Sequence, residues 1–117
     1  MLCQNESGTL HLASTRAVCR KMGISEVNIS LERLAGSIDH TLLSAAATSE
    51  QIRRLCQEAK EYGFCAVSVN PRWVGLAAEE LHGCKVKVGG VVSLPLGADS
   101  TKIKVAQAKD AIFAGAE

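Results

Sequence analysis

Gly63-Phe64-Cys65-Ala66-Val67-Ser68-Val69-Asn70-Pro71 is the stretch that decides the fold. A glycine that follows a helical segment takes the left-handed cap, which a side chain resists. An apolar run begins directly after it. That run stops at Asn70-Pro71, because proline has no N–H to give to a strand ladder. The junction recurs at Gly83, ahead of a run that includes Val86 and Val88. It recurs again at Gly115-Ala116-Glu117, where a further strand is expected to begin. Helix, glycine, strand, repeated, is β/α grammar.

Working outward, the segment before Gly63 reads as a helix from Ser49 to Tyr62. Ile52, Leu55, Cys56, Ala59 and Tyr62 fall on one face at helical spacing. Thr48 followed by Gln51 makes its capping box. Further back, residues 37–43 (SIDHTLL) read as a short first strand running into a loop, and residues 64–69 as a second strand. Ser30 caps a short helix over residues 31–35, closed by Gly36. After Pro71, a helix over residues 72–82 carries Trp73, Val74, Ala77, Ala78 and Leu81 inward. Residues 86–93 read as a third strand, broken at Leu94-Pro95-Leu96-Gly97. A last helix is expected over about residues 100–114, with Ile103, Ala106 and Ile112 among its apolar positions.

Strands alternating with helices make a parallel sheet with right-handed crossovers. Such strands need cover on both faces, and three of them leave two open edges. A closed (β/α)8 barrel takes about 250 residues. The pattern therefore predicts an α/β fold that is a partial (β/α)8 TIM barrel, about its first three β/α units. A doubly wound sheet is the alternative. It favours a glycine-rich phosphate loop after the first strand, and residues 39–47 contain no glycine.

Composition narrows the function classes. Thirteen basic residues face twelve acidic ones, for a formal net charge of +1. The basic residues are scattered, so neither a nucleic-acid nor a membrane partner is expected. Apolar residues make up 47%, enough for a packed core, while aromatics are only 3%. The core must therefore be built from Ala, Val, Leu and Ile. The five cysteines include no CxxC pair and read as reduced thiols of a cytoplasmic protein. Cys56 and Cys65 are expected on apolar faces. A metal site from Cys3, His11 and Cys19 lacks a compact ligand pair, and no metal is expected. Residues 1–27 show no clear period and are expected to be a poorly ordered extension, with residues 28–117 forming the barrel part.

In a barrel, alternate strand residues face the lumen, and chemistry sits at the strands' C-terminal ends. Alternation sends Ala66, Ser68 and Asn70 inward, and Cys65, Val67 and Val69 toward the helices. Gly89, Val91 and Ser93 face inward in the third strand, as do Asp39 and Thr41 in the first. Asp39, Thr41, Ser68, Asn70 and Ser93 are thus expected at one rim, where a carboxylate, hydroxyls and an amide suit a small polyol. A carboxylate between Ile38 and Leu42 is expected to be paired or hydrogen-bonded. His40 points the other way and reads as structural. A Schiff-base lysine needs a desolvated place near the rim. Lys85 and Lys87 fall at the start of the third strand. Lys102, Lys104 and Lys109 lie on the last helix, Lys60 near a helix end and Lys21 in the extension. The turn at Gly97-Ala98-Asp99-Ser100-Thr101 reads as an N-cap rather than a phosphate loop.

Six motifs, in unbroken order over residues 30–117, resemble the deoxyribose-phosphate aldolase family. They are Ile38-Asp39-His40-Thr41-Leu42-Leu43; Cys56-x-Glu58-Ala59-x-x-Tyr62-Gly63-Phe64; Val67-Ser68-Val69-Asn70-Pro71; Pro95-Leu96-Gly97-Ala98; Lys102-x-Lys104; and Ala108-Lys109-x-Ala111-Ile112. The resemblance implies a (β/α)8 barrel and a cofactor-free class I aldolase. Its expected reaction is reversible cleavage of 2-deoxy-D-ribose 5-phosphate to acetaldehyde and D-glyceraldehyde 3-phosphate, in cytosolic deoxynucleoside catabolism. It makes Asp39 an auxiliary catalytic residue beside Thr41, with substrate contacts expected from Thr41, Ser68, Asn70 and Ser93. Ser68 stands where many members carry cysteine, and Leu94 where phenylalanine is usual. The family's Schiff-base lysine, its partner lysine and its acid/base aspartate belong to later strands, the aspartate's strand being expected directly after Glu117. The phosphate-binding loops belong to the last strands. The chain alone is therefore expected to be inactive, with a homo-oligomer possible as its assembly. A non-enzymatic partial barrel serving as an interaction or assembly module is the competing expectation.

Overall fold

A computed structural model describes residues 29–117. The expected 1–27 extension, and with it the Cys3, His11 and Cys19 group, lies outside the described residues. The described chain runs helix α1 (Leu31–Ala35), strand β1 (Asp39–Leu42), helix α2 (Ser49–Tyr62), strand β2 (Ala66–Val69), a 3-10 turn (Pro71–Trp73), helix α3 (Val74–Glu80), strand β3 (Lys87–Gly90) and helix α4 (Thr101–Phe113). The strands form one parallel sheet in the order β1-β2-β3. Asp39, Ala66 and Lys87 stand in one row across it, and Thr41, Ser68 and Gly89 in another.

Local chemistry sets the helix ends. Thr48 Oγ1 accepts from Gln51 N–H, and the Gln51 side chain accepts from Thr48 N–H at 2.9 Å, so the capping box closes in both directions. Ser30 Oγ accepts from Arg33 N–H at 3.2 Å and opens α1. Gly63 ends α2 at φ 69°, and Gly115 follows α4 at φ 107°. Both angles belong to the left-handed region where only glycine rests without penalty. Glu117 N–H then donates to Val88 O at 2.9 Å, so the backbone at Glu117 lies beside β3 as a neighbouring strand would.

The core lies between the sheet and its helices. Ile52, Val67, Val69, Val74 and Cys56 are its largest fully buried side chains. Each of the aliphatic ones adds roughly 1.5–3 kcal/mol relative to exposure. The burial of Val67, Val69 and Val88 against the half-exposure of Ala66, Ser68 and Gly89 follows the strand period of two. One face of the sheet is thus covered by helices, and the other is open among the described residues.

Two expectations are corrected, and α4 packs in a way its apolar positions did not predict. The strands are shorter than the apolar runs; the third ends at Gly90, so alternation does not reach Ser93. Cys65 is exposed, because it precedes β2 and falls beyond the cover of α2. In α4 the buried residue is Ala111, while Ile103 and Ile112 are 46% and 67% exposed. Small side chains face β3 there because the fit is tight. A Cβ on Gly90 would sit 2.9 Å from Val74 Cγ2 and 3.1 Å from Ala111 Cβ. Gly90→Ala is therefore expected to destabilise the chain by about 1–3 kcal/mol. Gly75→Ala, in α3 with nothing near its Cβ, should stabilise by roughly 0.5–1 kcal/mol. Denaturant melts of the two variants check this pair.

Candidate functional site

The open face carries the polar residues in steps rather than at one level. Asp39 begins β1 and shares its row with Ala66 and Lys87. Thr41 and Ser68 stand one row higher, beside Gly89. Asn70 follows the end of β2, and Ser93 lies in the turn beyond β3. The five expected residues therefore climb from the start of the strands to the C-terminal rim. Asp39 belongs to the lower row, because β1 starts at that residue.

Their side chains differ in what they are free to do. The Asp39 carboxylate is exposed and has no hydrogen-bond partner among the described residues, contrary to the expected pairing. Thr41 Oγ1 donates its proton to Asp39 O at 2.8 Å, and both of its lone pairs are without a donor among the described residues. Ser68 is half-buried, and a Cβ at Gly89 would come within 3.1 Å of its hydroxyl oxygen. Glycine at position 89 thus leaves the Ser68 hydroxyl room on the open face. Asn70 Nδ2 donates to Leu43 O at 3.0 Å and to Ser44 O at 3.4 Å. Its amide ties the loop after β1 to the end of β2, which leaves its Oδ1 as the group available to a ligand. Ser93 is held by its own turn, through Asp99 and Gly97, and by Gln107 of α4.

Lys87, expected at the start of the third strand and set aside for that reason, is indeed its first residue. It stands in the Asp39 row on the open face, and its Nζ lies 3.7 Å from Glu117 Oε2. Its signal was the same alternation that identified Asp39, with Lys87-Val88-Gly89 matching Asp39-His40-Thr41. Dismissing Lys87 as low in the barrel applies equally to Asp39.

His40 behaves as expected. Its ring turns to the helix side, where Nε2 donates to Glu58 Oε2 at 2.8 Å and the ring edge meets Phe64 at 5.1 Å between centroids. Arg54 Nε donates to the other Glu58 oxygen at 2.8 Å. The His40 hydrogen bond first, and then that of Arg54, hold the Glu58 carboxyl below the usual carboxylate value. Burial pushes the Cys56 thiol up, making it a packed residue and not a nucleophile. Among the described residues no three His, Cys, Asp or Glu side chains gather as metal ligands. No described helix is long and apolar enough to cross a membrane.

Comparison with known proteins places this geometry. No protein-family model matches the chain. The chain is 54% identical over 83 residues to the deoxyribose-phosphate aldolase of Geobacillus sp. (strain WCH70), covering 71% of this chain and 37% of that protein. It is 55% identical over 80 residues to the aldolase of the same name from Treponema denticola, covering 68% and 37%. Among solved structures, a putative deoxyribose-phosphate aldolase from Coccidioides immitis superposes with a TM-score of 0.74 at 44% identity, over 78% of this chain and 36% of that one. A deoxyribose phosphate aldolase from Aeropyrum pernix, described as a tetramer, gives 0.70 at 37% identity, over 74% and 37%. The chain spans a little over a third of the length of these relatives.

The Glu58 cluster generates a pH prediction. A carboxyl held low in the folded state contributes stability that is complete above its unfolded value of 4.5. That contribution is lost as pH falls through the lowered folded value. Glu58→Gln should therefore be the less stable protein at neutral pH, and its stability should converge on that of the parent below pH 4.5. Thermal melts across pH 3–7 measure the gap, and a gap that widens on acidification contradicts the assignment.

Proposed function

We propose that this chain, which belongs to the deoxyribose-phosphate aldolase family over the part of the barrel it spans, supplies the opening β/α units of a class I aldolase. The reaction is reversible cleavage of 2-deoxy-D-ribose 5-phosphate to acetaldehyde and D-glyceraldehyde 3-phosphate. An amine adds to the C1 aldehyde and loses water to form an iminium. The C2–C3 bond then breaks, its electron pair moving toward the iminium while the C3 hydroxyl gives up its proton to a base; the enamine left behind takes a proton at C2, and water hydrolyses it to acetaldehyde and the free amine. The amine is a lysine of the later strands, outside this sequence, and no organic or metal cofactor is required. The cytoplasm is the proposed location, and self-association is the proposed assembly.

What carries this reading is the open sheet face, with Asp39, Thr41 and Ser68 on adjacent strands in lumen-facing positions. Asp39 is the auxiliary catalytic residue. An unpaired carboxylate there can orient an ammonium and a substrate hydroxyl through charge. Thr41 and Ser68 offer hydroxyls, and Asn70 its Oδ1, to the sugar. The described lysines are poor nucleophiles. Lys60 Nζ donates to Glu80 O at 3.1 Å. Lys87 is paired with Glu117. Lys85 precedes β3, and Lys102, Lys104 and Lys109 sit on α4.

A second reading, a non-enzymatic assembly module, draws support from exposed apolar side chains. Phe113 is 93%, Leu96 85% and Leu31 81% exposed, and such surface invites a partner.

In a full-length aldolase carrying these residues, Asp39→Asn is expected to lower kcat about tenfold or more while the melting temperature hardly moves. Equal activity with a large loss of stability would make Asp39 a structural residue. The chain by itself is expected to show no turnover. Incubation with 2-deoxyribose 5-phosphate, borohydride reduction and intact mass spectrometry should show no stoichiometric adduct, and one adduct on one lysine would sink that expectation.

A further inference from the structure

Ser93 has a φ of 54°, the one non-glycine among the described residues in the left-handed region. A side chain is disfavoured there and stays only where its surroundings fix it. Every hydrogen-bonding group of Ser93 is engaged. Its N–H donates to Gln107 Oε1 at 2.7 Å. Its carbonyl accepts from Gly97 N–H at 2.6 Å. Its hydroxyl donates to Asp99 Oδ2 at 2.8 Å and accepts from Asp99 N–H at 3.4 Å. One anchor therefore comes from helix α4 and the other from the turn itself. Because β3 ends at Gly90, the sheet ladder does not dictate the path of residues 93–97. The Ser93 contacts do.

We propose that Asp99 and Gln107 are positioning residues that clamp Ser93 and so fix the 93–97 turn as a wall at the C-terminal rim, with Leu94 as its apolar element. The role of the wall toward a small polyol rests on the proposed function, whereas the clamp does not. The clamp also changes what Ser93 does. Its single hydroxyl proton goes to Asp99, so the hydroxyl serves the turn and can meet a sugar only as an acceptor.

Amide hydrogen exchange of the 117-residue chain tests the clamp. Gln107→Met keeps the side-chain length and removes the acceptor. It should speed exchange at the Ser93 and Gly97 amides roughly tenfold, as expected for one lost hydrogen bond. Gln107→Glu retains an acceptor and should restore slow exchange. Asp99→Asn should likewise exchange slowly and Asp99→Leu rapidly. The amides of Val67 and Val88 report whether the fold is intact. Ser93→Gly tolerates the positive φ without a hydroxyl, so adding Asp99→Leu to it should change little. Wild-type exchange in Gln107→Met overturns the clamp, as does failure of Gln107→Glu to restore protection while the core amides stay protected. If Gln107→Met loses protection throughout, the Ser93→Gly comparison decides: a further increase on adding Asp99→Leu overturns the clamp. In a full-length aldolase carrying these residues, Gln107→Met should raise KM more than it lowers kcat, with Gln107→Glu restoring KM. An unchanged KM overturns the role of the wall. An intact clamp in a full-length protein without aldolase activity overturns the proposed function and leaves the clamp standing.

Discussion

The central strand, Ala66–Val69, is the constraint on which everything else depends. It is hydrogen-bonded on both edges, to β1 and to β3, so its register sets theirs. A parallel ladder leaves its strand faces to be covered by something other than its neighbours. Val67 and Val69 take the covered side and are fully buried beneath α2 and α3. Ala66 and Ser68 are then forced to the other side. Through the register, that choice also sends Asp39, Thr41, Lys87 and Gly89 to the open face. The polar character of that face is thus a consequence of burying two valines.

Closeness of approach is the second constraint. Gly90 lets Val74 and Ala111 reach the sheet, and Gly89 lets the Ser68 hydroxyl stay on the opposite side. Consecutive glycines at the end of β3 therefore serve different faces. The first keeps space open where a ligand can sit, and the second removes space where helices must pack. Helix α4 presents Ala111 to the sheet for the same reason and leaves Ile112 and Phe113 outward. Those side chains, like the open sheet face, are left uncovered among the described residues.

Function on such a face is a matter of level as well as direction. Asp39 and Lys87 share a row, so distance along the barrel axis does not separate the carboxylate from the amine. What separates them is pairing: Lys87 faces Glu117, and Asp39 faces open space among the described residues. Asn70 and Ser93 occupy the rim, yet each spends hydrogen bonds on backbone or turn. The groups with capacity to spare among the described residues are Asp39, Ser68, the lone pairs of Thr41 and Asn70 Oδ1.

The sequence by itself determined the order of elements and the helix caps. Gly63, the Thr48–Gln51 box and the apolar face of α2 are local, short-range signals, and short-range chemistry is written in adjacent residues. It also determined which face of β2 is polar, because a period of two needs no knowledge of the partner strand. The tertiary structure alone decided the height of Asp39, the exposure of Cys65 and the inward residue of α4. Register and helix contact depend on segments distant in sequence, and no local pattern encodes them. The engagement of Ser93 belongs to the same class. Its partners are six and fourteen residues away, and only the folding of the turn against α4 brings them to it.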